Sequence, residues 1–102
     1  MKLGDKDIQL DQDGFMLNPS LWNDEVALGI ASDEGIEEMS EEHWKVVKFI
    51  REYWKSHDLA PPVRLICAEV GVNVRTIYKL FASGPARGAC RIAGLPKPDG
   101  CV

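Results

Sequence analysis

The 102-residue sequence has no apolar run long enough to cross a bilayer, and its opening residues, Met1 to Asp7, are polar where a secretory leader would be apolar. No membrane insertion is expected, and the predicted compartment is the cytoplasm. The chain also lacks any short-spaced cysteine pair, and its two histidines, His43 and His57, stand fourteen positions apart. That excludes a zinc site of the usual kind. Asp99 occupies the fourth position from the end, where a prenylated cysteine would have to be, so a prenyl anchor is excluded as well. The run Asp11-Gln12-Asp13-Gly14 opens like a calcium loop, but Met16 and Trp22 stand where that loop needs Gly and Glu.

What is present describes one small domain. Hydrophobic residues make up 45% and charged residues 27% of the chain, enough for a single modest core and too apolar for a disordered polymer. The net charge of −4 hides an asymmetry: residues 1–60 hold 6 Lys/Arg against 14 Asp/Glu, and residues 61–102 hold 6 against 2. An acidic total disfavours broad nonspecific DNA binding, whereas a basic C-terminal part steers toward an acidic partner. Three cysteines is an odd number, and in a reducing compartment thiols serve chemistry or packing more often than they staple a fold.

The pattern predicts a mainly α fold: a small orthogonal helical bundle containing a helix-turn-helix-like unit, with an N-terminal β-hairpin and a flexible C-terminal arm. A hairpin is expected over residues 8–17, where short stretches with alternate apolar residues flank a turn ending at Gly14. A short helix is expected over 20–31, after the break at Asn18-Pro19, and a long one over 41–57, with Ser40 as cap and Trp44, Val47, Ile50, Tyr53 and Trp54 at helical spacing. Pro61-Pro62 precedes a helix, Gly71 and a second helix over 74–81, the spacing of a helix-turn-helix unit with Cys67 at its small inward position. Its second helix offers only Arg75, Thr76 and Lys79 to read DNA. The domain divides into a hairpin region (1–18), a helical core (19–83) and a mobile arm (84–102) carrying Cys90 and Cys101, with a helical turn or two over 86–93.

The arm thiols differ in their surroundings. Cys90 has Arg91 beside it and Arg87 three before it, which favours its thiolate, whereas Cys101 neighbours the terminal carboxylate of Val102. Cys101, at the tip, is therefore the group to present to a partner, and Cys90 the thiol that resolves the adduct it brings back. Eleven residue steps between them give a reach of roughly 36–40 Å when the arm is extended, and a modest entropic cost when it closes into a loop.

The runs Gly84-Pro85-Ala86, Ala89-Cys90-Arg91-Ile92-Ala93-Gly94-Leu95-Pro96-Lys97-Pro98 and Gly100-Cys101-Val102 closely resemble the C-terminal arm of the DsrC family, the gamma subunit of dissimilatory sulfite reductase. Asp13-Gly14-Phe15, Glu42-His43-Trp44, Ala60-Pro61-Pro62-Val63-Arg64 and Tyr78-Lys79-Leu80-Phe81 resemble further family blocks, so the likeness spans nearly the whole chain. The related TusE proteins keep the penultimate cysteine but usually lack the upstream one; both Cys90 and Cys101 are present here. The segment before Tyr78 is short beside many members.

The resemblance implies a sulfur carrier that acts as a protein co-substrate and not as a stand-alone enzyme. Its arm would enter a channel of the siroheme-containing αβ sulfite reductase, and sulfur would travel as a persulfide on Cys101 or a Cys90–Cys101 trisulfide, in sulfite reduction or in sulfur oxidation. A membrane-bound disulfide- or trisulfide-reducing complex, or sulfur-relay proteins, would be further partners. Siroheme and iron–sulfur clusters would belong to the partner, so no cofactor is assigned to this chain. Arg64, Arg75, Lys79, Arg87 and Arg91 are the candidate docking cations. The alternative readings are a TusE-like relay for tRNA 2-thiouridine synthesis, which needs Cys101 alone, and a DNA-binding regulator using helix 74–81.

Overall fold

In the computed structural model the described residues are 2–3, 6–84 and 88–96. Asparagine caps decide where its first helices begin. Asn18 accepts the backbone N–H of Ser20 and holds a single 3-10 turn, Pro19–Leu21; Trp22 is then extended, and Asn23 accepts the N–H of Val26 to start α1, Asp24–Asp33. The helix expected over 20–31 is therefore two pieces, because each Asn side chain satisfies amides that a continuous helix would have bonded internally.

Helix α2 runs Glu41–His57, the span its periodicity predicts. The Ser40 hydroxyl accepts from the His43 amide while His43 Nδ1 accepts from the Ser40 amide, a reciprocal capping box with histidine in the place usually taken by Glu or Gln. The helix stops at Asp58, whose φ of 61° is left-handed. Helix α3, Val63–Val70, follows Pro62 and ends at Gly71; α4, Val74–Leu80, is capped by Asn73, which accepts from Thr76. Phe81, expected to close α4, instead adopts an extended conformation and buries its ring.

Residues 8–17 depart from the expected hairpin. The paired strands are β1, Lys2–Leu3, and β2, Lys6–Asp7, antiparallel and two residues each. Within 8–17 a lone bridge joins Leu10 to Met16 around the turn at Asp11–Gly14. Phe15 and Met16 are both buried and Leu17 is 60% exposed, so the alternation that suggested a strand does not match the faces these residues present.

The larger correction concerns the arm. Residues 88–95, assigned above to a mobile segment, are buried: α5, Cys90–Ile92, packs against α1 and α2, and Ala89, Ile92, Ala93 and Leu95 join the core beside Val26, Ile30 and Ile50. Small and aliphatic side chains over this stretch gain more from leaving water than the local density of Gly and Pro costs in order. Among the described residues no helix is long and apolar enough to cross a membrane.

Gly14 ties the N-terminal turn to α5. Its φ is +89°, and a Cβ built there would lie 2.6 Å from Arg91 Nε. Gly14→Ala combines backbone strain with displacement of a locked guanidinium, and is expected to lower unfolding stability by about 1–3 kcal/mol. A fall in the urea midpoint at unchanged m-value checks it.

Candidate functional site

Cys90 opens α5 and is buried. The adjacent Arg91, read above both as a promoter of the Cys90 thiolate and as a docking cation, is buried, and its guanidinium is engaged within the domain. Its Nε donates to the Gly14 carbonyl at 2.7 Å, Nη2 donates to Asp33 Oδ2 at 2.9 Å, and Nη1 is bound by Glu34 Oε2. Two carboxylates and a carbonyl thus hold the guanidinium inside the domain. The arrangement has a local cause in α1: Asp33 and Glu34 place negative charge at the negative end of a helix with no basic residue in its last turn. Arg91 supplies the missing cation from far along the chain.

The end of α5 is built with equal care. Leu95 N–H donates to the Cys90 carbonyl and Gly94 N–H to the Arg91 carbonyl, with Gly94 left-handed at φ +75°, the two reverse bonds of a Schellman motif. Leu95 folds back into the core and Pro96 follows, so the helix stops where the sequence places its glycine and proline. Two side chains bind the remaining carbonyls: Trp22 Nε1 donates to Ile92 O at 2.7 Å, and Arg51 Nη1 donates to Ala93 O at 2.9 Å. Arg51 Nη2 donates to Pro19 O at 2.9 Å, and its guanidinium lies over the rings of Trp22, at 4.5 Å, and Trp54, at 5.6 Å. Burial lowers the Arg51 pKa from its ordinary value, with the Glu52 charge acting in the opposite direction.

The remaining site residues are dispersed. Cys67, expected to be buried, is half-buried on α3 against the core, with Ile66 taking the fully buried position. The one-residue offset follows from the helix phase that points Ile66 inward. Arg64, Arg75 and Lys79 are exposed on α3 and α4. Cys101 and Arg87 lie outside the described residues, so the expected Cys90–Cys101 pairing does too. Among the described residues no cluster of His, Cys, Asp or Glu has the makings of a metal site. Trp22, Asp33, Glu34 and Arg51 had no signal in the local sequence, since each acts on a segment distant in the chain.

The family described as DsrC like protein matches residues 2–102. The chain belongs to the DsrC family. The dissimilatory-type sulfite reductase gamma subunit of Nitratidesulfovibrio vulgaris is 41% identical over 97 residues, 95% of this chain and 92% of that protein. Sulfurtransferase TusE of Salmonella typhimurium is 39% identical over 104 residues, again 95% of this chain and 94% of the relative. The crystal structure of the oxidized gamma subunit DsrC from Archaeoglobus fulgidus superposes with a TM-score of 0.89 at 43% identity, covering 99% of this chain and 97% of that one. The mainly helical fold described above is thus the DsrC fold, and α5 with its two anchors is a part of this DsrC-family domain.

Arg91→Met should unfold the domain more easily by about 3–5 kcal/mol, because Glu34, 11% exposed, keeps its charge and loses its partner. Adding Glu34→Gln should restore part of that loss in a double-mutant cycle followed by denaturant unfolding. Burial also sets thiol order: in a Cys101→Ala chain, iodoacetamide should label Cys67 well before Cys90, as read by peptide mass spectrometry.

Proposed function

We propose that this chain is a cytoplasmic sulfur carrier and a protein co-substrate of a siroheme-containing αβ sulfite reductase. The observation that carries the reading is the rigid seating of Cys90 in a buried helix that ends abruptly at Gly94, ahead of a terminal stretch bearing Cys101. One thiol is anchored in the core and the other follows it by eleven residues in the sequence, a pairing that suits the division of labour a shuttle needs. The gamma-subunit relatives support the same assignment.

In this mechanism Cys101 enters the reductase and receives sulfur derived from partly reduced sulfite. Because Cys90 is buried within the domain, the tail must return to it for the sulfur to bridge the two as a trisulfide. A membrane-bound reducing complex then supplies electrons and protons, regenerating both thiols and releasing sulfide. In the oxidative direction a Cys101 persulfide delivers sulfur to the reductase. Arg64, Arg75, Lys79 and Arg87 are the cations proposed to dock on the partner; Arg91 is withdrawn from that set by its burial. The helix-turn-helix-like packing of α3 and α4 is read as a platform for those cations and not as a reader of DNA bases.

The TusE relatives favour a second reading, a relay toward tRNA 2-thiouridine in which Cys101 suffices. Incubation with sulfite, reductant and the αβ reductase should add one sulfur linking Cys90 to Cys101, seen by intact and peptide mass spectrometry. Cys101→Ala should accept none; loading at the wild-type rate would remove Cys101 from its role. Cys90→Ala should hold a persulfide on Cys101 without forming the bridge. Under the relay reading, Cys90→Ala supports tRNA thiolation normally in a relay-deficient strain, and loss of thiolation there would sink it.

A further inference from the structure

Helix α3 and its cap carry two apolar stripes where a surface helix needs one. Val63, Ile66, Cys67 and Val70 pack in or against the core, as the helical period requires. Pro62, Leu65 and Ala68, spaced three apart, form the second stripe. Pro62 and Ala68 are exposed, and Leu65 is half-buried without joining the core. With Val63 and Arg64 these residues line a surface groove of about 580 Å³. Arg64 is the one charged residue of that lining, and no carboxylate accompanies it. The residue is exposed and forms no hydrogen bond or ion pair with a described residue. By contrast Lys48, Lys55, Arg51 and Arg91 are each engaged by a carboxylate or a carbonyl. The first turn of α3 holds no acidic residue, so nothing in it cancels the positive potential of the arginine.

Apolar walls with one uncancelled cation define what fits. An apolar side chain laid against Leu65 and Ala68 gains by leaving water. A neutral segment in that position would desolvate Arg64 and give its donors nothing, whereas a carboxylate meets them with charge-assisted bonds. A small inorganic anion would satisfy the arginine and leave the walls in water. Resting on the carrier reading above, we infer that the α3 groove is the surface on which the partner reductase docks, and that it takes a protein segment with an Asp or Glu close in sequence to a large apolar side chain. The carboxylate pairs with Arg64 and the apolar side chain covers Leu65 and Ala68. No thiol takes part, so docking at α3 and sulfur chemistry at the cysteines are separable functions of one domain.

The ligand class is tested without the reductase. Short random peptides displayed on phage are selected on the immobilised full chain. Selection should enrich sequences that place Asp or Glu beside a large apolar residue, and synthetic copies should shift the backbone amide signals of residues 63–68. Arg64→Gln should weaken such a peptide about threefold to tenfold, and Ala68→Glu, which sets a like charge in the groove, about tenfold or more. Both positions are exposed, and unchanged far-UV circular dichroism checks that the variants fold. Lys45→Gln, an exposed cation of α2 outside the groove, should bind as wild type does. No enrichment, enrichment of uncharged peptides, or binding that survives Ala68→Glu would overturn the inference. The partner is then tested with a benzophenone side chain introduced at Glu69, exposed and next in sequence to Ala68. Irradiation with the purified αβ reductase should capture a reductase segment of the selected composition. Capture of a second copy of this chain, or of a segment without a carboxylate, would overturn the assignment, as would sulfur loading by the reductase with no capture. Failure of the wild-type chain to load sulfur would overturn the carrier reading and the docking role drawn from it, while the peptide selection would still decide the ligand class of the groove.

Discussion

Arg91 is the sole buried charged side chain among the described residues, and the position of the site depends on how its charge is met. Removing a guanidinium from water is costly unless its donors find partners, and here they find Gly14 O, Asp33 and Glu34. Those three belong to the N-terminal turn and to the end of α1. Satisfying one arginine therefore brings three separate segments together, with Cys90 carried along as its chain neighbour. The same contact neutralises two carboxylates at the unfavourable end of α1, so the acidic first part of the chain and the basic second part meet at Arg91.

Arg51 mirrors this arrangement at the other end of α5. Arg91 reaches outward from the short helix to its surroundings, whereas Arg51 reaches inward from α2 to the helix backbone. Between them a helix of three residues, far too short to persist alone, is held at both ends. Aliphatic burial supplies the driving force, and the two arginines supply the register. Cys90, the first residue of that helix, is thereby seated in the core.

Legibility in the sequence followed the range of the interactions. Helix α2 was readable because its apolar spacing and its Ser40 cap are local, and α3 and α4 were readable through Pro62, Gly71 and Asn73 for the same reason. Residues 8–17 misled because Phe15 and Met16 both turn inward, a consequence of the turn and not of strand alternation. Residues 88–95 misled because Gly and Pro density resembles that of a loose tail, while the apolar surface that overrides it shows its worth only once α1 and α2 are there to cover it. The burial of Arg91 was not legible either, since its carboxylate partners lie more than fifty residues away along the chain.

The sequence by itself determined the class of fold, the bounds of the long helix, the family and the two cysteines of interest, because periodicity, caps and a distinctive terminal motif are all written within a few residues of one another. Only the tertiary structure decided that Cys90 is a core residue, that Arg91 is an internal tie, and that Trp22 and Arg51 bind the carbonyls at the end of α5. Those outcomes turn on desolvation: which polar groups are buried, and which distant partners meet them, is settled when the chain packs and nowhere along it.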